Sequence, residues 1–239
     1  MTRITVINPN TAPELTVTIT AAAQAVAGPG VTVLGVNPTV GVPSVESHAE
    51  EAVAALGVLE QVGLTNDYTD AYVIACFGDT GVTAAREVAT CPVVGMTEAA
   101  LHTACLVAHR FVVITLPART IAHSDRVVRA LGLEHRCTVT AVDVPVAELV
   151  DGSTHLLDAF AEAARGADHA EAVVLGCAGL ADLAAAVEAE LGVPVIDGVA
   201  TATVLVQSLV TLRLRTSRRD EYARPPVKPY SGALAAFAR

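Results

Sequence analysis

Two cysteines stand at the carboxyl ends of similar apolar segments and could act as a pair. Cys76 closes the segment Ala-Tyr-Val-Ile-Ala-Cys, and Cys177 closes the segment Ala-Val-Val-Leu-Gly-Cys. A short loop of small residues and a predicted helix follow each cysteine. Because a helix N-terminus offers free N–H groups and the positive end of the helix dipole, we expect a lowered thiol pKa at both positions. The same N–H groups could hold an anion forming on a substrate.

Two facing thiols of this kind could invert a stereocentre without a cofactor. One thiolate takes a proton from an acidic carbon, and the opposite thiol returns a proton to the other face of that carbon. Contact of the carbon with each sulfur at ~3.5 Å places the sulfurs roughly 7 Å apart, too far for a disulfide. The alternative is that a cysteine is only a small buried hydrophobic residue. We adopt that interpretation for Cys91, Cys105 and Cys137, none of which ends a strand at a glycine-bearing loop.

Predicted strands and helices alternate along the chain, which is typical of a parallel sheet covered by helices. The first half has four predicted strands, at residues 3–8, 31–36, 71–76 and 92–95. Similar segments recur in the same order 101 to 107 residues later, ending near residue 197. We interpret the recurrence as an internal duplication. The alternative is an α/β protein whose strand–helix units merely have similar lengths.

The duplication predicts an α/β fold with two pseudo-symmetric lobes, each a four-stranded parallel sheet flanked by helices. Because ligands bind beyond the carboxyl ends of parallel strands, the active site is expected in the cleft between the lobes. The first lobe is assigned residues 1–97 and 207–239, and the second lobe residues 98–206. This assignment assumes that the last predicted helix, about 199–214, and the tail after it pack back on the first lobe.

Composition excludes several classes of protein. Of the 239 residues, 52% are apolar and 17% are charged, so a disordered chain is not expected. A net charge of −10 and an aromatic content of 3% argue against nucleic acid as a partner. The alternative is a short RNA contact through Arg213, Arg215, Arg218 and Arg219.

The chain lacks the sequence signs of export, of membrane insertion and of the common cofactor sites. No apolar run is long enough for a membrane span, and the N-terminus does not read as a signal peptide. We therefore expect a cytoplasmic protein with reduced thiols and no membrane contact. Zinc-binding spacings and nucleotide-binding motifs are absent from the sequence, so we expect no metal and no cofactor.

Polar and small residues near the strand ends are candidates for substrate binding. They are Asn8, Asn10, Thr11, Ser44, Gly78, Asp79, Thr80, Thr115, Ala178 and Gly179. The asparagines could hydrogen-bond an imide or a carboxylate, and Asp79 could accept from a ring N–H. Turn formation and helix capping are the alternative roles for these residues. The two glycines are expected to let the backbone approach a ligand closely.

Five motifs resemble those of a known group of enzymes. They are Ile7-Asn-Pro-Asn-Thr11, Pro43-Ser-Val-Glu46, Val73-Ile-Ala-Cys-Phe-Gly-Asp79, Pro92-Val-Val-Gly95 and Val174-Leu-Gly-Cys-Ala-Gly179. Through them the chain resembles the aspartate/glutamate/hydantoin racemase superfamily over most of its length, and most of all the hydantoin racemase branch. The resemblance implies two lobes, two catalytic cysteines, no pyridoxal phosphate or metal, and homo-oligomers. It also implies a small-molecule substrate, either a 5-substituted hydantoin or allantoin.

The loops after the cysteines bear on the choice of substrate. Amino-acid racemases of the superfamily resemble Cys-Asn-Thr and Cys-Thr-His there, whereas this chain has Cys-Phe-Gly and Cys-Ala-Gly. Without that histidine the loops favour a hydantoin, whose ring carbon is more acidic than the α-carbon of a free amino acid. The chain departs from the branch at Leu116, Thr80 and Val42, which bears on the substrate more than on the chemistry. The alternatives are an amino-acid racemase, a maleate-isomerase-like enzyme and a non-catalytic small-molecule binding protein.

Overall fold

The structure, a computed structural model, describes residues 1–151, 153–167, 169–232 and 234. Strands and helices alternate along this part of the chain. The strands are β1 Thr2–Ile7, β2 Val31–Val36, β3 Ala71–Ile74, β4 Val93–Gly95, β5 Phe111–Thr115, β6 Cys137–Ala141, β7 Ala172–Gly176 and β8 Val195–Ile196. The helices are α1 Pro13–Val26, α2 His48–Thr65, α3 Val82–Val88, α4 Met96–Val107, α5 Ile121–Ala130, α6 Leu157–Arg165, α7 Ala184–Leu191 and α8 Gly198–Thr211.

The described strands form two parallel sheets with the same topology. The first sheet has the order β2-β1-β3-β4, and the second has the order β6-β5-β7-β8. In the first sheet Ile7 pairs with Ile74, and in the second Thr115 pairs with Gly176. The equal order and the equivalent pairings confirm the predicted fold of two similar four-stranded lobes.

Continuous apolar sequence explains why the central strands are covered on both faces. β3, β5 and β7 are buried over their whole length, as valine- and isoleucine-rich strands of parallel sheets are. The predicted third strand is two residues too long, because β3 ends at Ile74 and Cys76 lies in the loop beyond it. Helix α2 begins at His48, because Ser47 caps it by accepting a hydrogen bond from the Glu50 N–H at 3.3 Å.

Two helices cross between the sheets. α4 follows the first sheet yet packs on β7, and α8 follows the second sheet yet packs on β3, β4 and α1. The N-terminal ends of α4 and α8 approach closely, since a Cβ on Gly198 would lie 2.8 Å from the Met96 carbonyl oxygen. Core residues of both sheets, among them Val6, Val73, Ile114 and Leu175, consequently belong to one continuous apolar cluster.

The end of the chain contacts the first lobe. The side-chain oxygen of Gln207 in α8 accepts from the Gly28 N–H at 3.0 Å. Arg218 donates to the carbonyls of Glu87 and Ala89, where α3 ends. The lobe boundaries 1–97 with 207–239 and 98–206 stay a prediction, and within them residues 152, 168, 233 and 235–239 lie outside the described residues. No described helix is both long enough and apolar enough to cross a membrane.

Candidate active site

Cys76 and Cys177 line the same cleft. Cys76 follows β3 in the first sheet and Cys177 follows β7 in the second, and both side chains are partly exposed. Apolar side chains from α1 and from the loop after β5 complete the wall, including Leu15, Ile19 and Leu116. The cleft therefore brings together the two thiols that the repeat pairs, at the sheet edge where ligands of parallel sheets bind.

The thiol of Cys76 faces a hydroxyl group. Its sulfur lies 3.4 Å from the Thr80 Oγ1 atom, and Thr80 is itself buried. Burial raises the pKa of Cys76 to about 12, the Thr80 hydroxyl acts in the opposite direction, and the neighbouring Cys177 adds a smaller upward contribution. Thr80 thus contacts the thiol rather than the cleft.

The thiol of Cys177 faces backbone N–H groups instead. Cys177 is the N-cap of a short 3₁₀ helix, Ala178–Leu183. Burial raises the pKa of Cys177 to about 11, while the N–H groups of Gly179 and Ala178 lower it. The two sulfurs therefore have unlike hydrogen-bond partners, a side-chain hydroxyl at Cys76 and two backbone amides at Cys177.

The expected lowering of the two thiol pKa values is wrong. Desolvation is the largest contribution at both cysteines and outweighs the polar groups around them. Cys76 does not lie at a helix N-terminus, because α3 begins only at Val82, after a loop with Gly81 as N-cap. The helix dipole therefore does not lower the pKa of Cys76 as expected. Both thiols are consequently neutral at pH 7 in the ligand-free protein.

Five of the predicted binding residues line the cleft beside the cysteines. They are Asn8, Asn10, Thr115, Ala178 and Gly179. The two asparagines also bond each other, because Asn8 Nδ2 donates to Asn10 Oδ1 at 2.8 Å. Asn10 Oδ1 in addition accepts from the N–H of Ala12, the N-cap residue of α1, at 2.9 Å. The asparagines thus build the turn before α1 and border the cleft at the same time.

The other predicted binding residues do not line the cleft. They are Thr11, Ser44, Gly78, Asp79 and Thr80. The Thr11 N–H donates to the Val42 carbonyl at 2.9 Å, and Ser44 directly precedes Val45, which does line the cleft. Thr11 thus ties the loop before α1 to the segment that carries Ser44 and Val45.

Asp79 caps a helix other than the one that follows it. Its carboxylate accepts from the N–H groups of Thr97 and Glu98, at 2.8 and 2.9 Å, in the first turn of α4. Gly95 precedes that helix, and a Cβ there would lie 2.2 Å from the Asp79 Oδ1 atom. Burial and the neighbouring Glu98 raise the pKa of Asp79 to about 7. The loop that carries Cys76 is thereby attached to the helix that crosses to the second sheet.

Sequence reasoning missed His123. It lies in α5, is 5% exposed and lines the cleft with both cysteines. Its ring stacks on that of His48, with centroids 4.3 Å apart, and burial lowers its pKa. The available signal was its place in the first turn of the helix after β5, which in a parallel fold lies at the ligand-binding edge.

A comparison with protein families identifies the chain. The model of the family described as Asp/Glu/Hydantoin racemase matches residues 4–206, which include both cysteines. The chain belongs to this family. This racemase is 37% identical to the hydantoin racemase of Pseudomonas sp. (strain NS671) over 242 residues, which cover 99% of this chain and 97% of that protein.

Two solved structures have nearly the same fold as this racemase. The allantoin racemase from Klebsiella pneumoniae has a TM-score of 0.95 at 45% identity, covering 100% of this chain and 99% of that chain. The allantoin racemase from Pseudomonas fluorescens has a TM-score of 0.92 at 37% identity, covering 96% and 100%. The protein is therefore an isomerase of the racemase type, and the predicted superfamily is confirmed.

Proposed function

We propose that this racemase inverts the stereogenic carbon of a 5-substituted hydantoin or of allantoin by proton transfer between Cys76 and Cys177. The observation that carries the proposal is the place of the two cysteines, which follow the equivalent strands β3 and β7 and line one cleft. The related proteins named hydantoin racemase and allantoin racemase support the substrate class.

In the proposed reaction the two sulfurs exchange roles. A thiolate on one cysteine takes the proton of the ring carbon, and the electron pair of the broken C–H bond moves into the enolate of the adjacent carbonyl. The opposite thiol then delivers its proton to the other face and becomes the thiolate. The neutral Cys76 thiol donates to the Thr80 Oγ1 atom. When Cys76 is the thiolate, the same hydroxyl turns and donates to the sulfur, as the N–H groups of Ala178 and Gly179 do to the thiolate of Cys177.

The character of the cleft wall favours a neutral ring over a free amino acid. Among the described residues, the wall contains no lysine, arginine, aspartate or glutamate. An amino acid would bring an ammonium and one or two carboxylates into this space, and burying such charges without partners is costly. A hydantoin ring needs only hydrogen-bond partners, which Asn8, Asn10, Thr115 and the Ala178–Gly179 backbone could supply. The same argument disfavours aspartate, glutamate and maleate.

Single enantiomers in heavy water test the proposal. Optical rotation and proton NMR would follow allantoin and a few 5-substituted hydantoins, with an enzyme-free sample to subtract spontaneous racemisation. We expect rotation to decay while deuterium enters at the stereogenic carbon, and the Cys76→Ser/Cys177→Ser variant to match the enzyme-free sample. Turnover of aspartate, glutamate or maleate in place of the rings would contradict the substrate class. Full activity of the double variant would contradict the thiol mechanism.

We also propose that the protein forms homo-oligomers in the cytoplasm. Leu205 within α8 and Leu212 and Leu214 just beyond its end are 37%, 66% and 51% exposed and line one surface groove. Exposed apolar side chains clustered in this way are typical of subunit contacts. The five unpaired cysteines are typical of a reducing compartment. Sedimentation equilibrium would measure the assembly, and a monomer at micromolar concentration would contradict it.

A further inference from the structure

Three side chains of metal-binding type meet at the edge of the cleft. His48 and Glu51 belong to α2 in the first lobe, and His123 belongs to α5 in the second. One possible ligand atom of each lies within 4.8 Å of the others. Because these residues come from two helices far apart in sequence, no metal-binding spacing along the chain indicates them.

The two residues of α2 are placed to act together. Positions i and i+3 share one face of a helix, and the His48 Nδ1 atom lies 3.4 Å from the Glu51 Oε2 atom. The other carboxylate oxygen, Oε1, accepts from Arg126 of α5 at 2.5 Å. This ion pair fixes the carboxylate and leaves Oε2 directed at His48.

His123 presents its imidazole to the cleft. Its side chain is 5% exposed, lines the cleft and stacks on the ring of His48. Among the described residues no buried side-chain nitrogen or oxygen lacks a hydrogen-bond partner, and His123 makes no hydrogen bond, so its ring nitrogens face the cleft. They are therefore open to a ligand that enters from the cleft side.

We propose that His48, Glu51 and His123 bind one Zn²⁺ ion, which joins α2 to α5 across the edge of the cleft. Two imidazoles and one carboxylate are a common zinc set, and they leave a fourth position for water. Tetrahedral ligands at about 2.1 Å from zinc lie about 3.4 Å from one another. The three ligand atoms lie within 4.8 Å of one another, so binding requires the exposed His48 ring to move out of its stacked position on His123. This site is separate from the proton transfer, which needs only the two thiols.

Metal binding without turnover tests the site. The full-length Cys76→Ser/Cys177→Ser variant removes the thiols of the cleft, and Zn²⁺ binding to it is measured by equilibrium dialysis. We expect one ion per chain, and a loss of affinity of at least about tenfold on adding His48→Gln, Glu51→Gln or His123→Gln, since even outer-shell partners change metal affinity 10–100-fold. His135→Gln, at an exposed histidine before β6, is the matched control and should bind like its parent.

Several outcomes would overturn the site. Absence of binding would do so, as would equal affinity of the His48→Gln variant and the His135→Gln control. Because His48 is exposed, its variant is expected to fold even if His123→Gln does not. Co²⁺ provides a second readout, since a thiolate-to-cobalt charge-transfer band would assign the metal to a remaining cysteine. Because zinc binding is measured without substrate, its absence can be distinguished from failure of the proposed racemase reaction.

Discussion

At the scale of single residues, the two thiols differ in what stabilises their charged form. Only Cys76 relies on a side chain, the Thr80 hydroxyl at 3.4 Å. A hydrogen bond to a charged group is worth about 1.5–3 kcal/mol, so Thr80→Val should lower the thiolate population of Cys76 roughly tenfold or more. Alkylation rates of individual cysteines, mapped by peptide mass spectrometry, would measure the change.

The same experiment contains its own controls. Alkylation of Cys177 should be unchanged in Thr80→Val, because backbone N–H groups serve that sulfur. Thr203→Val is the matched substitution, since Thr203 is buried in α8 and its hydroxyl donates to the Val199 carbonyl at 2.8 Å, within its own helix. If alkylation of both cysteines slowed equally, or if Thr80→Val and Thr203→Val had equal effects, the contact with Thr80 would not be what stabilises the Cys76 thiolate.

Single cysteine variants should separate the two faces of the substrate. In Cys76→Ser only Cys177 remains as a base, so one enantiomer should exchange its proton for deuterium with retention of configuration. Cys177→Ser should do the same with the opposite enantiomer, and neither variant should racemise at a rate near that of the parent. Proton NMR of each pure enantiomer in heavy water measures this. Equal exchange of both enantiomers in either variant would exclude thiols on opposite faces.

Under the proposed thiol mechanism, the raised thiol pKa values predict the pH dependence of the reaction. Burial raises the pKa of Cys76 to about 12 and that of Cys177 to about 11, so both thiols are protonated at neutral pH. The thiolate population then rises about tenfold per pH unit, and log kcat/KM should climb with a slope near one from about pH 7 to about pH 9. Rates corrected for spontaneous racemisation would show it. A plateau already at about pH 7 would mean that the free enzyme holds a low-pKa thiolate.

At the scale of elements, the loop after β3 and the start of α4 form one unit through Asp79. Asp79→Ala removes both hydrogen bonds to the first turn of α4, and loss of a helix cap typically costs about 0.5–2 kcal/mol. Since Asp79 has a positive φ of 54° and lies three residues after Cys76, kcat/KM should fall as well. Urea unfolding and racemase assays measure the two effects. An unchanged free energy of unfolding would contradict the capping role.

Because folding raises the pKa of Asp79, the free energy of unfolding should depend on pH in a predictable direction. The folded protein raises the pKa of Asp79 from 3.8 to about 7, mainly by burial, so it holds the proton more tightly than the unfolded chain does. The resulting stabilisation is complete below about pH 4 and is lost as pH rises to about 7. The free energy of unfolding of the parent, relative to that of Asp79→Asn, should therefore decrease over this range. A constant difference would contradict the shifted pKa.

The sequence predicted the sheets and the paired cysteines, but not the contacts between residues that lie far apart along the chain. Alternating valine-rich strands and their recurrence predicted both sheets, the cleft and the pairing of Cys76 with Cys177, because each rests on local pattern and on order along the chain. The role of Asp79 could not be predicted, since its partners belong to a helix that begins at Met96. His123 was missed for a similar reason. The thiol pKa values depend on how deeply the completed cleft buries the sulfurs, which no motif records.

Across the molecule, the two sheets share one apolar core. One apolar cluster includes strands of both sheets together with α1, α4 and α8. The two crossing helices carry the connection, because each packs against the lobe that it does not follow in sequence. The relative position of Cys76 and Cys177 is therefore determined by the packing of α4 on α8 as much as by either sheet.

A single methyl group at that crossing should destabilise both lobes together. In Gly198→Ala the new Cβ would lie 2.8 Å from the Met96 carbonyl oxygen and 2.9 Å from its Cε atom, and overpacking of this kind typically costs about 1–3 kcal/mol. Gly166→Ala is the control, because its Cβ would meet no neighbour closer than 3.5 Å. Urea unfolding followed by hydrogen-exchange mass spectrometry should show one transition, in which peptides from β1 and β5 lose protection at the same urea concentration. If β5 opened while β1 stayed protected, the lobes would fold separately, and the distance between the thiols would depend on the linkage between them rather than on a shared core.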